Sequence, residues 1–280
     1  MHEKWLIGSI LVCIAAFIWL PLWMLLSGTI MGSAELYENL VPVLEGGEGT
    51  AVWPVIAQYP TLQAYVELLL DTPQFFTVFW NSCRQVLPII LGHVLLGAPA
   101  AWAFARFHFR GKKILYTLYI VLMLMPFQVT MVSSYLVLNK LRLIDTVWAV
   151  ILPGAASTFP IFIMTRFFMT IPEAIMEAAA VDGASPFQTF VWFGIPLGAA
   201  GILSAVVLGF LEYWNAMEAP QAFLKNQALW PLSLYMANIT VDNAGVSLIA
   251  SLITLMPPLL IFLFGQRYLE QGIISSGMKD

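Results

Sequence analysis

Charged residues are scarce in this chain of 280 residues, since twelve Lys and Arg and sixteen Asp and Glu make up only 10% of the sequence. A soluble domain carries about 25% charged residues, which coat the surface around its core. This scarcity excludes an ordinary soluble enzyme and a disordered chain. The net charge of −4 also excludes a protein that binds the phosphate backbone of nucleic acids, which needs a basic surface.

Cysteine is also rare, and the sequence motifs of catalysis and nucleotide binding are missing. Cys13 and Cys83 lie in or beside apolar runs, and they indicate neither a disulfide framework nor a metal site. The only Gly-Lys pair, Gly111-Lys112, is followed by Lys113, so the sequence lacks the loop that cradles ATP phosphates. Zinc-peptidase and serine-hydrolase motifs are absent as well. We therefore expect a protein that is not an enzyme, with no catalytic residue, metal or cofactor in this chain.

Hydrophobic residues take the place of the missing charges, at 60% of the sequence with a mean hydropathy of +0.84. A helix needs about 20 apolar residues to cross the hydrocarbon core of a bilayer. We expect an all-α membrane protein with six transmembrane helices, in stretches that lack Asp, Glu, Lys and Arg: Trp5–Ser27, Gln85–Ala105, Ile114–Asn139, Thr146–Thr165, Phe187–Leu211 and Asn243–Gln266. The second helix is expected to begin nearer Phe75, which places Arg84 one or two turns inside it. The first stretch exceeds the apolar part of a signal peptide, about 7–15 residues, and is interpreted as a retained anchor.

The basic residues set the predicted orientation, because Lys and Arg accumulate on the cytoplasmic side of a membrane. With a cytoplasmic N-terminus, eight basic residues lie inside, three lie outside and Arg84 lies within the second span. The inside set is Lys4, Arg106, Arg110, Lys112, Lys113, Arg166, Arg267 and Lys279, and the outside set is Lys140, Arg142 and Lys225. Both termini are therefore expected to be cytoplasmic.

Four parts follow from this topology. They are an N-terminal anchor helix 1–27, an extracytoplasmic loop 28–74, a membrane core 75–266 of five helices with a cytoplasmic loop 170–186, and a cytoplasmic tail 267–280. Most connections between elements have only about 4–6 residues, so the loops 28–74 and 170–186 are expected to have a function.

The sequence between Ile171 and Pro186 carries the start and stop signals of a short helix. Pro172 suits the first helical position, and Glu173 favours the positive end of the helix dipole. The Glu-Ala-Ala-Ala run that follows is a strong helix former. Gly183 can adopt the left-handed conformation that ends a helix, and Pro186 prevents continuation. We expect a short helix parallel to the membrane surface on the cytoplasmic side.

The same loop resembles that of a known family. Glu177-Ala178-Ala179, Gly183 and Pro196 match the motif of binding-protein-dependent ABC import permeases. The flanking Ile171-Pro172-Glu173 and Asp182-Gly183-Ala184-Ser185 resemble more narrowly the maltose-G-like permeases of carbohydrate importers. The similarity runs from about Pro60 to the C-terminus, and its further motifs are Asn81-Ser82, Ala103-Phe104-Ala105-Arg106-Phe107, Arg166-Phe167-Phe168, Trp214-Asn215 and Gln266-Arg267-Tyr268. Residues 28–59 have no counterpart in the family.

This resemblance implies a permease subunit with a type I ABC importer fold, in the cell membrane of a prokaryote. It implies partners: a second homologous permease, two ATPase subunits that bind ATP and Mg²⁺, and an extracytoplasmic solute-binding protein. The segment Pro172–Ser185, named the coupling segment below, would dock on an ATPase. Its expected contact residues are Pro172, Glu173, Glu177, Ala178, Ala179, Asp182, Gly183, Ala184 and Ser185, and those of the tail are Gln266, Arg267 and Lys279.

The solute is expected to be a carbohydrate, with an oligosaccharide as the first choice. Sugars bind to hydroxyl groups, amides and flat aromatic faces. The candidate pathway residues are Asn81, Gln128, Ser133, Tyr135, Trp214 and Asn215. Polar side chains also join membrane helices, so a packing role stays open for each. An ABC permease for glycerol phosphates, polyamines or amino acids is an alternative, as is a self-sufficient secondary carrier, although no relay of acidic residues lies deep in the spans.

Three other features of the spans have simpler interpretations. Arg84 is close enough to a membrane surface to extend its charge to water. His93 is expected to form a hydrogen bond with a neighbouring helix. Gly194, Gly198 and Gly201 recur at helical spacing, which indicates a small-residue face that packs against another helix.

Overall fold

Helices account for the regular structure throughout the computed structural model, which describes residues 2–44, 50, 53–236 and 243–277. No β-strand occurs among these residues, where Met31 and Pro60 form an isolated bridge. In chain order the α-helices are α1 (His2–Gly28), α2 (Ser33–Leu44), α3 (Gln63–Val66), α4 (Pro73–Gly92), α5 (Ala98–Arg106), α6 (Lys112–Leu124), α7 (Phe127–Lys140), α8 (Trp148–Ala155), α9 (Thr158–Thr170), α10 (Glu173–Val181), α11 (Pro186–Thr189), α12 (Ile195–Leu197), α13 (Ala199–Trp214), α14 (Glu218–Phe223), α15 (Leu232–Tyr235) and α16 (Ala244–Gly277).

Four helical stretches are long and apolar enough to cross a membrane: Trp5–Gly28, Pro73–Arg106, Trp148–Thr170 and Ala244–Glu270. Two further stretches reach this length only as bent pairs, α6 with α7 at 108° and α11–α12 with α13 at 70°. All six predicted spans are therefore helical, and the second begins at Pro73, close to the predicted Phe75.

The bend between α6 and α7 lies at Pro126, a proline that interrupts the predicted span Ile114–Asn139. Met125 has ψ 125° and Pro126 has ψ 149°, so both residues are extended rather than helical. A proline lacks the N–H that would continue the helix, and it pushes the residue before it out of the helical region. The chain therefore turns sharply at this proline and starts a new helix.

The last helix differs from the expectation at its C-terminal end. We expected the sixth span to end at Gln266, but α16 continues to Gly277. The residues directly after Gln266 include Arg267, Leu269 and Glu270, which are good helix formers, so leaving the apolar region does not break the helix.

π-Helical turns replace α-helix at His93–Gly97 and Phe190–Gly194. Each turn lies shortly before a proline, Pro99 in the first case and Pro196 in the second. A proline has no N–H to donate, so a carbonyl in the preceding turn loses its usual i→i+4 partner. The π-turn, with i→i+5 hydrogen bonds, accommodates this change in bonding. A third π-turn, Glu67–Asp71, follows α3.

One compact unit comprises Met1–Thr77 and Tyr235–Met256. Within it, the predicted extracytoplasmic loop is partly folded, since α2 and α3 both lie in it. The chain after Trp53 is fixed to α1, because the indole N–H of Trp23 donates to the Val55 carbonyl at 2.9 Å. The buried Glu35 carboxylate accepts hydrogen bonds from the backbone N–H groups of Gln58 and Tyr59 at 2.9 and 3.2 Å.

The other unit comprises Val78–Leu234 and Pro257–Asp280, and its main apolar core joins α5 to α9 and the second π-turn. The core includes Trp102, Phe104, Met164, Phe168 and Phe190, all buried. Aromatic rings in this cluster meet mostly edge to face or tilted, arrangements that add to the stability gained from burial.

The predicted small-residue face is confirmed, and its partners are α5 and α9. A Cβ atom added at Gly194 would lie 2.8 Å from the Trp102 ring, and one at Gly201 would lie 2.5 Å from Cβ of Phe167. At Gly198 an added Cβ would collide with Phe168. These glycines let the helix backbone approach aromatic side chains closely.

His93 has the expected contact, whereas the extension of the Arg84 charge to water at a membrane surface stays a prediction. Nε2 of His93 is 2.9 Å from the carbonyl oxygen of Gly154 in α8, which confirms a hydrogen bond to a neighbouring helix. Its other ring nitrogen, Nδ1, is buried and has no hydrogen-bond partner in the part of the chain that the structure describes. Arg84 is exposed on the surface of α4.

Candidate coupling segment and solute pathway

The coupling segment contains the predicted short helix, α10 (Glu173–Val181). Pro172 has ψ 138°, so it is the residue that caps the helix N-terminus, one position earlier than the first helical position that we expected. Helix boundaries commonly differ by one residue for this reason. Glu173 occupies the first turn, where its negative charge favours the positive end of the helix dipole.

The helix ends as the sequence predicts. Gly183 has φ +80°, its N–H donates to the Ala180 carbonyl at 3.1 Å, and the Ala184 N–H donates to the Ala179 carbonyl at 3.0 Å. This pair of bonds is the Schellman motif, which satisfies carbonyls that have no partner within the helix. No atom lies within 4 Å of a Cβ placed at Gly183, so the backbone conformation alone requires glycine here.

The next helix starts at once after this end. The Ser185 hydroxyl accepts from the Gln188 N–H at 3.3 Å, while the Gln188 side chain accepts from the Ser185 N–H at 2.8 Å. This reciprocal capping box fixes the start of α11, with Pro186 at its first position. The coupling segment is thus a short helix with defined ends rather than an irregular loop.

One face of α10 is available to another molecule. Ala179 is buried, and Ile175 and Met176 pack against the apolar core. The other predicted contact residues are exposed or half-buried, namely Pro172, Glu173, Glu177, Ala178, Asp182, Gly183, Ala184 and Ser185. Within the described residues, no hydrogen bond or ion pair engages the carboxylates of Glu177 and Asp182. Two free negative charges therefore lie beside small alanines on an open surface.

Arg106 is a residue of this region that the sequence interpretation missed as a functional candidate. One terminal nitrogen of its guanidinium group donates to the carbonyl oxygens of Phe168 and Ile171, at the end of α9 directly before α10. The guanidinium also lies over the Trp102 ring, 5.6 Å from the ring centroid. Carbonyl acceptors leave no trace in a sequence, so the available signals were its basic charge near a predicted inner helix end and its place in the motif Ala103-Phe104-Ala105-Arg106-Phe107.

The predicted tail residues are only partly described. Gln266 and Arg267 are exposed on α16, and Lys279 lies outside the described residues. Nearby, the Ser204 hydroxyl of α13 donates to the Tyr268 carbonyl at 2.8 Å, and Gly265 lies against Val207. These contacts hold this part of α16 on α13 and leave Gln266 and Arg267 free to meet another molecule.

Among the candidate pathway residues, Asn81 is buried and engaged with the backbone. Its amide donates to the carbonyls of Ala228 and Trp230 at 2.7 and 3.1 Å. Gln85, one turn later, donates to the Leu229 carbonyl at 2.9 Å. Together they attach the connection after α14 to α4. Trp214 is also buried, stacked on Phe210 with ring centroids 5.3 Å apart.

The remaining candidates lie on or near α7. The Gln128 amide donates to the Glu218 carboxylate at 2.7 Å, and both residues are exposed. Ser133 is exposed, whereas Tyr135 packs against a cluster that contains Leu138 and Phe223. Asn215 is exposed, and its amide donates to the Leu211 carbonyl at 2.8 Å. Gln128, Ser133 and Asn215 are thus exposed, while Asn81 and Trp214 are buried in packing contacts, and the pathway role of all these residues stays a prediction.

Asp145 is a second residue whose contacts the sequence did not reveal. Its carboxylate accepts from the N–H groups of Lys225 and Asn226 at 2.9 and 2.8 Å, and its own N–H donates to the Phe223 carbonyl. Asp145 has φ +62°, a conformation that aspartate tolerates better than most residues. It fixes the chain after α14 next to α8.

Several helices long and apolar enough to cross a membrane indicate a multi-pass membrane protein. Residues 93–275 match the family described as binding-protein-dependent transport system inner membrane component. The chain belongs to this family.

Named relatives agree with this assignment. The arabinooligosaccharides transport system permease protein of Halalkalibacterium halodurans is 25% identical over 222 residues, which cover 78% of this chain and 80% of the relative. The sn-glycerol-3-phosphate transport system permease protein of Pectobacterium atrosepticum is 30% identical over 222 residues, which cover 74% and 75%.

Solved structures confirm the fold. A chain of a bacterial ABC transporter involved in the import of the acidic polysaccharide alginate matches with a TM-score of 0.80 at 19% identity, over 95% of this chain and 96% of that one. A chain of a bacterial alginate ABC transporter in complex with alginate pentasaccharide-bound periplasmic protein matches with a TM-score of 0.59 at 16% identity, over 94% and 93%. The protein therefore has the type I ABC importer permease fold. The same match corrects the expectation that residues 28–59 have no counterpart, because the uncovered 5% of this chain is shorter than that segment.

The left-handed glycine gives a direct test of how α10 ends. Gly183→Val is expected to lower the thermal stability of the purified protein, because a β-carbon opposes the left-handed conformation by about 1–2 kcal/mol. The branched side chain of valine makes this conformation still less favourable. Gly183→Asn is the matched control, since asparagine adopts the left-handed region more readily. Equal melting temperatures for the two variants would contradict the assigned cap.

Proposed function

We propose that this chain is the permease subunit of an ATP-driven, binding-protein-dependent ABC importer for a carbohydrate, with an oligosaccharide as the first choice. It forms half of a translocation pathway and pairs with a second homologous permease. Two ATPase subunits on the cytoplasmic side bind ATP and Mg²⁺ and hydrolyse the nucleotide. An extracytoplasmic solute-binding protein delivers the solute. This chain has a mechanical role and carries out no covalent chemistry.

The observation that carries the proposal is the free face of α10. Glu177 and Asp182 are exposed carboxylates without partners among the described residues, and Ala178 beside them lets another surface approach closely. A carboxylate that meets a donor on a partner surface forms a charge-assisted hydrogen bond, which is stronger than a neutral one. We assign this face to an ATPase subunit, with Gln266, Arg267 and Lys279 of the tail as a second contact.

The choice of a carbohydrate is supported by relatives and by the exposed side chains. One relative is named for arabinooligosaccharides, and the structural relatives belong to alginate importers. Gln128, Ser133 and Asn215 offer amide and hydroxyl groups, which suit a polyhydroxylated solute. An sn-glycerol-3-phosphate permease at 30% identity makes glycerol phosphate the second candidate.

Reconstitution tests this proposal. The permease pair, its ATPase and its solute-binding protein are placed in proteoliposomes, and uptake of labelled arabino-oligosaccharide and glycerol 3-phosphate is compared with and without ATP. We expect ATP-dependent uptake of the oligosaccharide only when every component is present. Uptake by this chain alone would establish a secondary carrier instead, and preferential uptake of glycerol 3-phosphate would overturn the choice of solute class.

A further inference from the structure

Residues on either side of the coupling segment, called its first and second ends below, contact α5 at the inner end of the second span. The preceding helix, α9, ends at Thr170, and the following helical run contains the π-turn Phe190–Gly194. Trp102 and Arg106 lie four residues apart in α5, which places them on one face of the helix. The contacts of this pair reach both ends.

Arg106 holds the first end through backbone groups. Its guanidinium donates to the carbonyls of Phe168 and Ile171, which lie in the last turn of α9 and directly after it. Carbonyls at a helix C-terminus lack partners within the helix, and a cation is favoured there by the helix dipole. The bonds therefore depend on the charge and reach of the arginine, not on the identity of the two residues that accept them.

Trp102 holds both ends through its ring. Its centroid is 5.2 Å from that of Phe168, on the side of the first end, and 5.7 Å from that of Phe190, on the side of the second. A Cβ at Gly194 would lie 2.8 Å from the same ring, so no space separates the π-turn from the tryptophan. Close-packed interiors have low compressibility and transmit displacement.

We propose that Trp102 and Arg106 form a clamp that makes the coupling segment and the inner end of the second span move as one body. This proposal rests on the proposed function, because it supposes that an ATPase moves the coupling segment. With the clamp intact, α10 cannot rotate independently about the residues at its two ends. Its displacement is passed to α5 and so to the continuous helix Pro73–Arg106. Arg106 is a positioning residue, which acts through the segment it holds.

The clamp is tested in the whole transporter with Arg106→Gln, which removes the charge and leaves one NH2 donor on a shorter side chain, and with Arg106→Lys, which keeps the charge. Arg110→Gln is the matched control, since Arg110 is also basic and exposed at the same end of the span, four residues on. The readout is solute uptake per ATP hydrolysed. We expect this ratio to fall about tenfold in Arg106→Gln, to recover partly in Arg106→Lys, and to stay unchanged in the control.

A distance measurement separates a clamp from a merely stabilising contact. Spin labels are placed at the exposed Ala180 and Leu95, after Cys13 and Cys83 are replaced by alanine. We expect the distance between labels to be the same with and without ATP in the parent transporter, and to change on ATP binding in Arg106→Gln. An equal response in parent and variant would overturn the proposal.

The two proposals fail in distinguishable ways. If the unmodified chain shows no ATP-dependent uptake with its partners, the proposed function is wrong. If the unmodified transporter is coupled and Arg106→Gln keeps the parental ratio of uptake to ATP hydrolysis, only the clamp is wrong. Loss of ATPase association in both Arg106 variants would also overturn the clamp, because it would show that the arginine is needed for docking and not for passing on the movement of α10.

Discussion

A Glu177→Arg variant is expected to lose its ATPase partner and all ATP-driven uptake, while it inserts and folds as the parent protein does. Glu177 is exposed and has no partner among the described residues, so the fold of the permease does not depend on this side chain. Loss of a charge-assisted hydrogen bond costs about 1.5–3 kcal/mol, or roughly a tenfold to hundredfold loss of affinity. Reversal of the charge adds repulsion to that loss.

The measurement is the amount of ATPase that co-purifies with the permease pair, together with uptake in proteoliposomes. Glu67→Arg is the matched control, because it makes the same change at an exposed carboxylate in the predicted extracytoplasmic connection. Retention of the ATPase by Glu177→Arg at the parental level would show that α10 is not the docking surface.

The second large effect is expected at the contact between α13 and α9. Gly201→Ala places a Cβ about 2.5 Å from Cβ of Phe167, an atom fixed by its own backbone. Because Phe167 is buried, its ring has no free space to move into. Overpacking of this kind costs about 1–3 kcal/mol, so we expect a lower melting temperature and less protein in the membrane.

Gly8→Ala serves as the control for this prediction. Gly8 lies in α1 with nothing within 4 Å of an added Cβ, and alanine is the better helix former by about 1 kcal/mol. The two identical substitutions should therefore shift the melting temperature in opposite directions. A rise in both variants would mean that α13 and α9 are not in close contact at Gly201.

Local signals in the sequence were sufficient for the coupling segment. Pro172 and Gly183 predict the two ends of α10 because each restricts or permits particular backbone angles wherever it stands. Apolar runs likewise predicted the spans, and glycine spacing predicted a packed face. Each of these sequence signals acts locally, so none of them depends on a distant part of the chain.

Long-range contacts could not be predicted in the same way. Asn81 was chosen as a pathway residue for its polar side chain, yet its amide bonds carbonyls 147 and 149 residues away. Its pathway role stays a prediction. The acceptors of Arg106 are also backbone carbonyls, which every residue has. The proline at position 126 was visible, but a bend of 108° depends on what each helix packs against after the break.

The corner at Pro126 has a consequence for water in the membrane. Helix α6 has 13 residues and so spans only about 20 Å, short of the roughly 30 Å of a hydrocarbon core. If α6 starts at the predicted cytoplasmic surface, the chain turns aside about two thirds of the way across the hydrocarbon core. Val129 donates its N–H to the Pro126 carbonyl, but the N–H groups of Phe127 and Gln128 have no acceptor within α7, and hydrocarbon offers none. The corner must therefore face solvent, another polypeptide or another part of this chain, and where it faces solvent, water can enter the interior of the bilayer.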